Sequence, residues 1–85
     1  MRRIDIITEQ YPDCEFLQAD GFDDAIIGVD HSFEKLVYSR TKCIDVLMKR
    51  DGMNDLEANE YFDFNVSGAY VGEKTPIWVD DTLFE

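Results

Sequence analysis

Histidine occurs once and cysteine twice in these 85 residues, and that scarcity removes most of the usual arrangements for catalysis and metal binding. Cys14, Cys43 and His31 are three soft ligands, one short of a structural zinc site, and neither cysteine stands in a CxxC pair. A reducing cytosol would leave both as free thiols. A thiol nucleophile is not expected either. Asp13 and Glu15 flank Cys14 and would hold its pKa up, while Cys43 falls on the apolar face of a helix. The five glycines are scattered, and none forms GxGxxG or GxxxxGK, so no phosphate-cradling loop is present. "DGMNDLE" (51–57) fails as a calcium loop, because glycine comes second and Met53 occupies a ligand position. No apolar run approaches the roughly 20 residues that span a bilayer. "MRRIDIITEQ" has two arginines but no apolar signal region, so a cytoplasmic protein is expected. These absences argue against an enzyme, a cofactor and a metal.

Cations are also few: 8 Lys and Arg against 19 Asp and Glu give a net charge of −11. They are concentrated in residues 35–50, where Lys35, Arg40, Lys42, Lys49 and Arg50 face Asp45 alone, and acidic segments flank that stretch on both sides. Arg40, Lys42, Lys49 and Arg50 are therefore either a phosphate patch or partners for the chain's own acids, with internal pairing the stronger reading. Direct nucleic-acid binding is not expected in a field of this sign.

The chain does have enough apolar material for a core: 45% hydrophobic residues, including eleven aromatic ones. One domain is expected over residues 1–85, with a thin core, since a chain this short buries only about 60–65% of its unfolded surface. The pattern predicts an α+β fold: an antiparallel hairpin and a short third strand packed against two main helices. "IDIITEQ" fits a strand or a short helix, and Pro12 suits the first turn of a helix through "DCEFLQ" that Gly21 closes. "DAIIGVD" (24–30) alternates and reads as a strand, with Asp24, Ile26, Gly28 and Asp30 on one face and Ala25, Ile27, Val29 and His31 on the other. Gly28 in mid-strand suggests a bulge or a close backbone approach. "KLVYS" (35–39) would pair with it across the turn "HSFE".

"SRTKCIDVLMKRDG" predicts a helix capped by Ser39 or Thr41 and stopped by Gly52, with Ile44, Leu47, Met48 and Cys43 inward. Asn54 and Glu57 form a capping box that opens a second helix, ending between Ser67 and Gly72. "PIWVD" supplies a strand at a sheet edge, and residues 80–85 form a tail.

The second helix carries the least ordinary stretch, "ANEYFDFN" (58–65). Steps of about 100° per residue put Ala58, Tyr61, Phe62, Asn65, Val66 and Ala69 on one arc, the expected core face. Glu57, Glu60, Asp63 and Ser67 lie opposite, with Phe64 among them. Either Trp78 or Phe84 covers that ring, or it is an exposed anchor inside an acidic patch. Asn65, central on the apolar arc, would need partners for its buried amide, from the loop after Gly72 or from a hairpin strand. Asn65-Val66-Ser67 matches the glycosylation sequon by chance.

The blocks "GFDDAIIGVD", "LVYS..KCIDVLMKRDGM" and "EANEYFDFNVSGAYVGEKTPIWV" together resemble a family of short uncharacterised proteins of tailed bacteriophages. The resemblance covers roughly residues 21–79 and is most specific over "FNVSGAYVGEKTPIW". It implies a context, a phage gene expressed in a bacterial cytoplasm, and brings no catalytic or ligand residue to this chain.

Two functions follow as expectations. The first is a non-enzymatic interaction protein that binds a host or phage protein, such as a defence or nucleic-acid-processing factor, through Asp55, Glu57, Glu60, Asp63 and Phe64. The second is a small-ligand or metal-binding module with its site around Asp24, Asp30, Asn65 and Tyr70. Asp24 and Asp30 lie about 20 Å apart along a strand, which argues against one shared ion. An exposed sheet edge would allow a homodimer.

Overall fold

The computed structural model describes residues 2–19, 21–32, 34–68, 72 and 74–84, the side chain of Phe84 excepted. The hairpin forms as the alternation predicts: β1 (Ile26–Asp30) pairs antiparallel with β2 (Lys35–Ser39). Ile26 faces Tyr38 and Gly28 faces Val37, so Ile27 is the extra residue of a bulge. The bulge breaks the expected alternation. Ile26 and Val29, assigned to opposite faces, both pack on the core, and Ile27 points to solvent. Asp23–Ala25 form a 3₁₀ turn ahead of β1, so Asp24 lies outside the strand.

Three helices surround the sheet. The first, α1 (Arg3–Gln10), buries Ile4, and Arg3 donates to the Ile26 carbonyl on the outer edge of β1. The helix expected after Pro12 does not form. Residues 12–19 run irregularly, packing Phe16 and Ala19 on the core, and the Ala19 N–H donates to the Tyr38 hydroxyl at 2.8 Å.

The second helix, α2 (Arg40–Asp51), is stopped by left-handed Gly52 (φ 70°) and carries Lys49 and Arg50 in its last turn, where cations suit its negative end. Cys43, Ile44 and Leu47 are buried, whereas Met48 lies on the flank of that stripe and is exposed. Fully buried Ser39 caps α2 by accepting from the Lys42 N–H. It also donates to Asp81 at 2.5 Å, and the Thr41 N–H reaches the other oxygen of the same carboxylate.

The third, α3 (Asp55–Tyr61), opens on the predicted capping box: Asn54 accepts from the Glu57 N–H, and Glu57 accepts from the Asn54 N–H. β3 (Ile77–Val79) lies at the edge beside central β2 and runs parallel to it. The core gathers Tyr38, Leu36, Ile26, Leu47 and Phe62, with Trp78 stacked on Tyr38 (centroids 4.9 Å) and edge-on to Phe62 (5.6 Å).

Candidate functional site

Beyond Tyr61 the helix does not continue as an α-helix. Phe62–Val66 form a π turn, closed by the Ser67 N–H bonding back five residues to the Phe62 carbonyl at 2.9 Å. A π turn advances less per residue than an α turn, so side chains four apart stay aligned instead of drifting. Four rows result.

The inward row is Ala58, Phe62 and Val66, all buried. Asp55, Asn59 and Asp63 form a second row turned toward α2. Arg40 donates to Asp63 at 2.7 Å and to the Asn59 side-chain Oδ1 at 3.1 Å, and the Asn59 Nδ2 donates onward to Asp55. The guanidinium also lies 4.7 Å from the Phe62 ring centroid. This pairing holds the Asp63 carboxyl below the usual carboxylate range and raises the Arg40 pKa.

Leu56, Glu60 and Phe64 form the outward row. Phe64 is 82% exposed and Leu56 is 68% exposed, so neither Trp78 nor any other described residue covers the ring. The fourth row is Glu57, Tyr61 and Asn65. The expected core positions of Tyr61 and Asn65 are thus corrected: both are exposed, and Asn65 is not a buried amide. For Asn65 the 100° step fails because the π turn shifts the phase after Phe62; Tyr61 precedes the turn and lies at the edge of the expected arc, where it is exposed. Ala69 and Tyr70 lie outside the described residues.

The acidic face expected from the sequence is consequently divided. Asp55 and Asp63 are engaged toward Arg40, Glu57 caps its own helix, and Glu60 stands between two exposed apolar side chains. No signal in the sequence announces the π turn, and the Leu56–Phe64 row follows from it.

The fourth row borders a groove of about 380 Å³ between the π turn and β3, lined by Phe22, Tyr61, Asn65, Val66, Pro76 and Trp78 and reached by Gln18 and Arg50. The alternative ligand set does not assemble there. Asp24 lines a separate cleft beside α2, and Asp30 lies at the far end of β1. That second cleft mixes signs, with Arg2 and Lys49 already paired to Asp23 and Asp45. The basic residues are largely used internally: Arg40 on Asp63, Lys49 on Asp45, Arg50 on Asp51.

Among the described residues no group of three His, Cys, Asp or Glu side chains is placed to hold a metal ion, and no helix is long and apolar enough to cross a membrane. Both thiols are unpaired. Burial pushes Cys43 up to about 12, and a hydrogen bond to Glu34 raises Cys14. Neither is an activated nucleophile.

Compared with protein-family models, curated proteins and solved structures, the chain has no significant match.

Proposed function

We propose that the protein acts without catalysis, by laying the Leu56–Glu60–Phe64 row into an apolar slot on a partner protein whose surrounding surface is basic. The observation that carries this reading is the contrast within one π turn: Phe62 is fully buried and Phe64, two residues on, is open to water. Burying a phenylalanine in a partner gains about 1.5–3 kcal/mol relative to leaving it exposed, and an aromatic ring with a polar rim is the usual makeup of an interface anchor. Glu57 and Glu60 supply that rim, and the net charge of −11 steers the chain toward a basic surface.

Proteins that handle nucleic acid present basic surfaces of the kind this reading requires. Occupying such a surface would inhibit it; the sequence resemblance adds only the context, a phage gene expressed in a bacterial cytoplasm. The carboxylates act here by steering rather than by copying a phosphate ladder. Glu57 and Glu60 are separated by about 4.5 Å of helix rise, whereas duplex DNA carries a charge roughly every 1.7 Å.

The test is capture from a bacterial lysate with the immobilised chain, washed at increasing salt, beside the double variant Glu57→Gln/Glu60→Gln. One stoichiometric partner, shed at lower salt from the variant than from the wild type, is the expected result. No partner at low salt, or an identical salt profile for both chains, would contradict the proposal.

A further inference from the structure

We infer that the groove between the π turn and β3 binds an uncharged, planar heteroaromatic group of nucleobase size. Its volume of about 380 Å³ lies in the range of small-molecule sites, roughly 300–1,000 Å³. Three rings line it: Phe22 is buried beneath the Arg50 guanidinium and forms the floor, while the exposed Tyr61 ring and half-buried Trp78 offer a flat ligand a stacking surface whatever its substituents.

Two carboxamides, Asn65 and Gln18, stand on the same lining. Each presents a donor and an acceptor together, the combination that reads the mixed edge of a base. The residues come from four separate parts of the chain, Leu17–Ala19 with Phe22, Arg50, Tyr61–Val66 and Pro76–Trp78, and the π turn completes the set. In an uninterrupted α-helix Asn65 would turn toward the core, whereas Tyr61 precedes the π turn and stands at the rim of that face. Here both stand on the groove, and π turns occur frequently at functional sites.

Charge selects against an anionic ligand. The only charged residue on the described lining is Arg50, and its guanidinium is already committed. Nη1 donates to the Gly21 carbonyl at 2.9 Å, Nε and Nη2 hold Asp51, and the group lies over the Phe22 ring. No open cation remains on that lining for a phosphate or carboxylate, and the chain's net charge repels both. A free base or nucleoside fits these conditions; a nucleotide does not. The site is independent of the Phe64 row, so either reading stands or falls alone.

Trp78 is the sole tryptophan, so its emission reports the groove directly. The full chain is titrated with adenosine, guanosine, cytidine, uridine and AMP, with calorimetry in parallel. The expected result is saturable binding of at least one nucleoside, with AMP weaker than adenosine if adenosine is the one bound. Asn65→Ala and Tyr61→Ala, both at exposed positions, should each weaken binding about tenfold, on the scale of one lost stacking or base-edge contact, while the melting temperature stays unchanged. Three results would overturn the inference: no saturable change with any nucleoside, equal affinity in both variants, or AMP binding more tightly than adenosine.

Discussion

Arg40 and Asp63 meet at 2.7 Å across the junction between α2 and the π turn, and the next residue after Asp63 is the exposed Phe64. The pair fixes the turn from one side while Phe62, beneath the same guanidinium, fixes it from below. What remains for Phe64 is solvent. The outward placement of Phe64 therefore depends on contacts that Phe64 itself does not make.

Breaking that pair should loosen the turn. Arg40→Ala is expected to lower the melting temperature more than Asp63→Asn, because it also removes the cation above Phe62 and leaves Asn59 without its donor. The difference between wild type and Asp63→Asn should shrink at high salt, since the Asp63 side chain is 54% exposed and its charge is screened. Thermal melts at two salt concentrations measure both effects.

Acid should loosen the contact between the tail and α2. The Asp81 carboxyl is held at about 2 by the Ser39 hydroxyl and the Thr41 N–H, against an ordinary value of 3.8. A carboxyl depressed in the folded state contributes stability that is present above 3.8 and is lost as pH falls through about 2. Between those values the wild type should lose stability that Asp81→Asn lacks from the start. At neutral pH that variant should cost about 1 kcal/mol, the usual scale of a lost helix cap. Denaturant titrations at pH 7 and across the acid range check both the sign and the window.

The thiols should be slow. Cys43 is fully buried with its pKa near 12, so it should react with a thiol reagent only after unfolding. Cys14 is accessible but protonated beside Glu34, and Glu34→Gln should speed its modification at pH 8 by restoring a more ordinary thiol. Mass spectrometry of partially labelled protein separates the two sites. Rapid labelling of Cys43 in the folded chain would contradict its place in the core.

Much of the architecture is legible in the sequence because the signals are local. Ser39 and Gly52 bracket α2, Asn54 and Glu57 open α3, and Gly28 marks the bulge without reference to any distant residue. Other features depend on long-range contacts. The backbone of Ala19 is held by Tyr38, which overrides the helical reading of residues 12–18. The parallel direction of β3 is set by its pairing with β2. The exposure of Asn65 follows from a π turn that carries no residue signature, so a constant step per residue misplaces it, while Tyr61, ahead of the turn, sits at the edge of the apolar arc. The groove was least legible, because its walls come from four parts of the chain.

The most direct test of the central claim compares Phe64→Ala with Phe62→Ala, measuring the stability of each and its affinity for the captured partner by calorimetry. Phe62→Ala should cost about 3–5 kcal/mol of stability as a core truncation. Phe64→Ala should leave stability within about 0.5 kcal/mol and cost at least about 2 kcal/mol of binding, near thirtyfold in Kd. An unchanged Kd for a fully folded Phe64→Ala chain would show that the exposed ring is not the anchor.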